Sequence, residues 1–393
     1  MIYMDNVAGT KPDSRVVEAM LPWLCERYGN TSAHFYPLGR EAYEAIEQSR
    51  ALVAKMLSAE AAETIIFTAN GTESNNLALK GYFHHASAIG KKHIIISEIE
   101  HFSIQNVLIK MLKDGWQITK LKVDDTGLVD PDSLKKAIRK DTALVSIAVA
   151  NPEIGAIQDS AALGKICKEA GVIFHADAVA ACGRIPVNVQ DMEADMVSIA
   201  GQNFYGPRGS AALYVRKGVA LKPLFDGGFQ ERGMRSGSEN VAGIVGIGKA
   251  ADIVTLEMSE YAPRMKELGI HFSERLSKMF DYLHFTGGME RRLPGHVSFW
   301  IEHIEGESLL MWYALNGVCA ASGSACSSNI LAEDEDDLKA SHVLTAVGVP
   351  SDICAGSMTF SFSRYTTKDE VDKALEVTPG IVQKLVAMSP SYK

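Results

Sequence analysis

The sequence encodes an α/β protein with a mostly parallel sheet in its first two thirds and a smaller α+β part after it. Three observations point there. Continuous apolar runs of four to nine residues recur from Thr64 to Val215, and amphipathic stretches of helical period separate most of them. Strands that are apolar throughout, rather than alternating, belong to a sheet covered on both faces. Near Asp252 the texture changes to a long charged helical segment followed by strand-like pieces and a closing helix. The length of 393 residues gives roughly two to three domains at about 150 residues each.

The elements follow in order. Thr64 to Thr68 is the first buried strand, His93 to Ser97 the second and Thr142 to Ala150 the third. Val172 to His175, Met196 to Ile199 and Ala211 to Val215 complete the set, with helices over Asp132 to Arg139 and Ala161 to Ala170 between them. A helix is expected from Glu257 to Met279, then strands at His296 to Ile301, Gly317 to Ala321 and Ser357 to Phe362, then a helix from Lys368 to Met388. The expected division is a large α/β domain over 13–255 and a small α+β domain built from 1–12 and 256–393.

Composition narrows the function. Apolar residues are 47% and charged residues 22%, ordinary for a folded chain and unlike a disordered or fibrous one. A net charge of −9, with no basic arm, argues against nucleic acid and anionic membranes as partners. No apolar run is long enough to span a bilayer. Met1 leads directly into Ile2-Tyr3-Met4-Asp5 without a basic and then apolar leader, so a cytoplasmic protein is expected. The six cysteines form no CxxC pair and should be reduced there. Glu333 to Asp337 is a run of acid that reads as a solvated loop.

Open α/β sheets bind ligands at the carboxyl ends of their strands, so chemistry is expected in the segments just after them. The first strand leads into Asn70-Gly71-Thr72-Glu73, a small turn opening a helix. Its free N–H groups suit a phosphate, with Thr72 as a plain N-cap the alternative. Glu100-His101 follows the second strand; the histidine can stack on a flat ring, exchange protons or serve as an ordinary polar residue. Asn151 to Gly155 follows the third as a turn. Asp177 ends an apolar strand, where an unpaired carboxylate is costly, so it needs a cation: a protonated pyridine nitrogen, an arginine or a lysine. Ser322-Gly323-Ser324-Ala325-Cys326-Ser327-Ser328 places one cysteine among small residues, as a mobile sulfur nucleophile requires and as a surface cysteine also allows.

With these residues in view, the chain resembles the cysteine desulfurases of the NifS/IscS group, in the class V aminotransferase family with its PLP-transferase type I fold. The resemblance rests on Ile2 to Asn6, Gly71 to Asn76, Glu100-His101, Asn151 to Gly155, His175 to Asp177, Tyr205 to Gly209, Arg235 to Asn240, Ser322 to Ser328, Arg364 to Thr367 and Ser389-Pro390. It implies a homodimer holding pyridoxal phosphate (PLP). The phosphate would lie on Gly71 and Thr72, the ring under His101, with Asn151 and Asp177 touching the ring. Ser238 would reach the phosphate from the other subunit. His101 and Cys326 would be catalytic. Cys326 would carry sulfur from cysteine as a persulfide, alanine would leave, and the sulfur would pass to an acceptor such as an iron–sulfur scaffold protein.

The same resemblance exposes departures. Where the family carries its Schiff-base lysine this chain has Asn203, and an amide cannot form an aldimine or shuttle the proton. Ala200, Gln202 and Ala180 stand at the family's phosphate serine, the histidine before the lysine and the glutamine contacting the PLP hydroxyl. Thr359 stands where an arginine clamps the substrate carboxylate. The leading expectation is therefore a protein of sulfur transfer or iron–sulfur assembly with ordinary PLP catalysis lost. Cys326 is kept as persulfide carrier or as a candidate iron–sulfur ligand. One alternative is an active desulfurase holding PLP without a covalent bond. Another is a different ligand or reaction in the altered pocket. The acidic segment from Asn329 to Lys339 is longer than the family's usual connection and has no assigned role.

Overall fold

The structure is a computed structural model and describes residues 1–322, 341–349 and 357–389. In chain order, β1 (Ile2–Tyr3) is followed by α1 (Ser14–Cys25), α2 (Pro37–Met56), β2 (Ile65–Thr68) and α3 (Gly71–Ala88). Then come β3 (His93–Ser97), α4 (Phe102–Lys113), β4 (Gln117–Leu121), α5 (Pro131–Ala137), β5 (Thr142–Ser146) and α6 (Ser160–Ala170). The sheet continues with β6 (Ile173–Asp177), β7 (Met196–Ala200) and β8 (Ala211–Val215), after which α7 (Val241–Ser277) leads out of it. The remainder is β9 (Leu283–Phe285), β10 (His296–Ile301), α8 (Gly306–Leu315), β11 (Val318–Cys319), α9 (His342–Ala346), β12 (Ser357–Ser361) and α10 (Lys368–Met388).

Seven strands form one sheet in the order β2-β8-β7-β6-β5-β3-β4. Every pairing is parallel except those of β8, which runs antiparallel to both β2 and β7. The strands β2, β3, β5, β6 and β8 are buried on both faces, as apolar runs of Ile, Val, Leu and Phe require, apart from the partly exposed Ile173. One apolar cluster, around Val53, Phe174 and Ile247, lies on one side of the sheet, and another, around Leu77, Ile94 and Leu144, on the other. Within β6, His175 bonds Ser146 of β5 and Ser198 of β7 at 2.8 and 3.0 Å, which ties three strands through one ring. Burial pushes its pKa down to about 3, so it stays neutral.

Two sequence expectations need correction. The third strand stops at Ser146 rather than Ala150, because the chain leaves the ladder there to build the Asn151 turn. The edge strand β4 was not foreseen: Gln-Ile-Thr-Lys-Leu is too polar to show as an apolar run, and its pairing with β3 alone explains it.

A separate antiparallel sheet, β12-β10-β9, carries a second apolar core around Phe272, Phe299, Phe360 and Leu375. The amino-terminal β1 pairs with β11 of this part. The 37-residue α7 joins the two cores. Its residues from Ile244 to Met265 pack on the large sheet's core, and Leu268, Phe272 and Leu276 pack on the smaller one. Residue 255, the expected domain boundary, lies inside this helix.

One buried ion pair fixes the margin of the large sheet. Arg50 of α2 forks onto Glu231 at 2.7 and 2.8 Å and donates to the Ile65 carbonyl. The Glu231 carboxylate also accepts the Phe67 N–H. It sits in a turn where Glu231 and Arg232 both have positive φ, 47° and 57°, so the side-chain bonds hold a backbone shape that disfavours these residue types.

A candidate active site at the carboxyl ends of the strands

The ends of β2, β3, β5, β6 and β7 open on a cavity of about 410 Å³. Each strand delivers polar groups to it. After β2, Asn70 caps α3 by accepting the Glu73 N–H at 2.9 Å. The capping residue is thus Asn70 and not Thr72, because the helix starts two residues earlier than a Thr72 cap would place it, at Gly71. A Cβ at Gly71 would lie 2.7 Å from Val179, so the close approach of the turn to the loop after β6 requires glycine. Gly71 and Thr72 line the cavity.

After β3, His101 caps α4: its Nδ1 lies 3.1 Å from the Ser103 N–H and 2.8 Å from the Ser103 hydroxyl. After β5, Asn151 is spent on the turn itself. Its side chain accepts from Glu153 and Ile154 N–H and donates to the Ile99 carbonyl at 3.1 Å. A Cβ at Gly155, where φ is +73°, would strike His296 at 2.6 Å, so this turn closes tightly against β10. At the end of β6, Asp177 accepts from Asn75 Nδ2 at 2.7 Å and from the Val179 N–H at 2.9 Å. Both partners are neutral. No lysine or arginine among the described residues pairs with it, so the expected protein cation is not what satisfies this carboxylate.

Asn203 lies in the short turn after β7 and donates to the Val7 carbonyl at 2.8 Å. Ala180, Ala200, Gln202, Asn203 and Thr359 all line the one cavity, although they come from three separate places in the chain. Ser238 is exposed just before α7 and does not line it. Cys326 lies outside the described residues. Of the cysteines described, Cys167 and Cys182 are buried, Cys319 is half-buried, and Cys25 is exposed on α1.

The structure adds residues that were quoted within motifs but not assigned a role. Asp5, Asn75, Glu100 and Glu153 join the walls, and His342 arrives from α9 to donate to the Glu100 carbonyl or sit beside it at 3.0 Å. Asp5, Asn75, Glu100 and Glu153 carried a signal, since each sits in the opening segment, in a turn after a strand or in the first turns of the helix that follows one. His342 carried none, being distant in sequence from all of them.

The electrostatics are one-sided. Among the described residues no lysine or arginine lines the cavity, and Asp5, Glu100, Glu153 and Asp177 do. Burial raises the Glu100 and Glu153 carboxyls to about 8 and Asp5 to about 6. Five buried acceptor atoms on the walls have no partner among the described residues: Asp5 Oδ1, Asn75 Oδ1, Glu100 Oε2, Glu153 Oε1 and Asn203 Oδ1.

Glu100 therefore has a consequence for stability. Between the unfolded carboxyl value near 4.5 and the folded value near 8 the native state holds a proton that the unfolded chain has released. Stability should thus fall as pH rises through that window. Glu100→Gln, which mimics the neutral form, is expected to flatten the decline and to raise the urea midpoint above wild type at pH 8.5. A variant whose midpoint follows the wild-type pH course would show that Glu100 is ionised in the native state.

The family model for aminotransferase class V matches residues 2–374. The chain belongs to the class V aminotransferase family. Within that family it is 45% identical over 392 residues to a protein named cysteine desulfurase IscS from Dictyoglomus turgidum, covering 100% of this chain and 97% of that one. It is 45% identical over 389 residues to a cysteine desulfurase IscS from Methanosarcina thermophila, covering 99% and 94%. Among solved structures, a NifS-like protein superposes with a TM-score of 0.90 at 34% identity, covering 98% of this chain and 100% of that one. The fold is thus the PLP-transferase type I fold, and the family is PLP-dependent and works in sulfur transfer.

The walls fit that cofactor only in part. Asp177 can accept from a pyridinium N–H, and the start of α3 favours an anion. Yet Glu73 already places a carboxylate in that first turn, bonded to the Ala69 N–H and Arg235. A phosphate dianion and an aldehyde are groups of acceptors, and the buried wall atoms left unpaired are acceptors too. Among the described residues no amine lines the cavity for a Schiff base, so these residues do not fit covalently held PLP.

Among the described residues no helix is long and apolar enough to cross a membrane.

Proposed function

We propose that this chain handles sulfur within the cysteine desulfurase group, in sulfur transfer or iron–sulfur cluster assembly, through Cys326 and without covalent PLP catalysis. The observation that carries the reading is Asn203. By the resemblance it stands where the family carries its lysine, its amide is committed to the Val7 carbonyl, and no lysine among the described residues stands in for it on the cavity wall. Ala180, Ala200, Gln202 and Thr359, gathered on the same wall, support the same conclusion, since each removes a group that the resemblance assigns to PLP or substrate. His101, Gly71, Thr72, Asn151 and Asp177 keep the scaffold of the old site.

In this reading the Cys326 thiolate attacks the outer sulfur of a donor persulfide. A new S–S bond forms on Cys326, the donor's inner sulfur leaves as a thiolate, and no net oxidant is needed. An iron–sulfur scaffold or another sulfur acceptor takes the sulfur by the same exchange, or Cys326 serves as a cluster ligand shared with it. The working form is a cytoplasmic homodimer, with Ser238 reaching across. Strongly exposed apolar side chains on and beside α1 and in the turn before α7 support a covered face. Tyr28 is 76% exposed, Phe35 98% and Phe229 93%. A monomer by sedimentation at micromolar concentration would overturn that part.

The test loads the reduced chain with a small-molecule persulfide and maps the added sulfur by alkylation and peptide mass spectrometry. The expected result is one sulfur on Cys326, lost in Cys326→Ser, and no alanine released from cysteine above free PLP. No sulfur on Cys326 would overturn the carrier role. Alanine release above free PLP would establish instead an active desulfurase with the cofactor held non-covalently.

A further inference from the structure

We infer that the altered cavity binds a small organic cation: a ligand with an apolar body and a protonated amine. Three observations on the wall converge. Asn75 and Asn203, 1% and 4% exposed, each present a buried amide oxygen with no partner among the described residues, and Glu100, 0% exposed, presents a carboxyl oxygen that becomes an acceptor once its proton leaves. Leaving such atoms dry is costly, so a donor-bearing guest gains what the empty protein forfeits. Asp5 and Glu153 add one unpaired acceptor apiece. Among the described lining residues no buried side-chain nitrogen lacks a partner, and no lysine or arginine is there to repel a cation. Between the acceptors the wall is apolar, with Ala148, Ala150, Val179 and Ala200 closing it. A volume of about 410 Å³ suits a guest of one ring and its substituents.

A metal ion is the poorer occupant. The carboxyls are spread around the wall, and among the described residues no three His, Cys, Asp or Glu side chains converge as ligands. An anion would meet four carboxyl groups and have only the start of α3 to hold it, where Glu73 already sits.

Binding a cation should expel protons. Glu100 faces Asp177 of β6, His101 and His342 of α9. Glu153 faces Ser341 before α9, with His296 and Arg292 behind its turn. Asp5 faces Arg208. A guest ammonium adds the cation that Glu100 and Glu153 lack, so one or both ionise on binding and affinity climbs with pH.

The test uses the full chain and three probes of one shape: benzylamine, benzyl alcohol and benzoate, titrated calorimetrically between pH 6 and 8. Benzylamine is expected to bind one per chain, about tenfold more tightly at pH 8 than at pH 6, with measurable proton release. Glu153→Gln and Glu100→Gln, each checked for cooperative unfolding, should reduce that pH dependence, and Asn203→Leu should weaken binding at every pH. Benzyl alcohol or benzoate binding as well as benzylamine, or no probe binding at all, would overturn the inference. So would pH-independent benzylamine binding that neither glutamine variant alters. A PLP titration alongside separates this from the proposed function. A covalent PLP adduct would defeat that reading, whereas the probe series speaks only to the charge the cavity selects.

Discussion

Asn203→Lys is expected to convert this chain into one that captures PLP covalently, with an aldimine absorbance that borohydride bleaches, while alanine release from cysteine stays low. The lysine would enter a wall with unpaired oxygens, in the cavity that Glu100 and Glu153 also line. Capture needs only the amine; turnover needs the rest. Restoring Ala180→Gln, Ala200→Ser, Gln202→His and Thr359→Arg together with the lysine is expected to raise alanine release by about 10²- to 10⁴-fold over Asn203→Lys alone, the span of a positioned acid–base group. Arginine at 359 has a partner waiting: the Thr359 hydroxyl already reaches the Glu153 carbonyl at 3.0 Å, and Glu153 Oε1 is unpaired. A folded Asn203→Lys protein that stays colourless with PLP would show that the cavity has lost the cofactor's shape as well as its anchor.

Arg50→Ala is the substitution expected to cost most in stability, about 3–5 kcal/mol, because it leaves the Glu231 carboxylate buried without its cation. Glu231 also holds the Phe67 N–H and the positive-φ turn beyond it, so the damage reaches β2 and the loop that leads to Arg235. Arg50→Ala with Glu231→Gln should recover part of the loss, since the amide keeps one acceptor and sheds the charge. Urea denaturation of the two variants measures it. A loss below 1 kcal/mol in the single variant would mean that water reaches the carboxylate.

Much of this architecture is legible in the chain because local and global preferences agree. His93 to Ser97, Ala211 to Val215, His296 to Ile301 and Lys368 to Met388 appear with the boundaries read from their apolar patterns. Elements whose existence depends on a neighbour are not legible. β4 is a strand only because β3 offers its edge, and α7 begins at Val241 because the large sheet needs a cover there, well before charged residues announce a helix. The site divides the same way. That Asp177, His101 and Asn203 share one cavity follows from strand ends meeting at one edge of the sheet, whereas Thr359 reaches it from β12 of the smaller sheet. That Asp177 would be satisfied by Asn75, that Asn151 would be consumed by its own turn, and that Glu100 and Glu153 would carry unpaired oxygens all depend on side-chain geometry that no spacing encodes.

Incubating the purified chain with excess PLP, reducing with borohydride and weighing the intact protein tests the absence of a covalent anchor most directly. An unchanged mass is expected, with Asn203→Lys gaining one pyridoxyl group under the same treatment. A stoichiometric pyridoxyl adduct on any single side chain of the unaltered protein would contradict it.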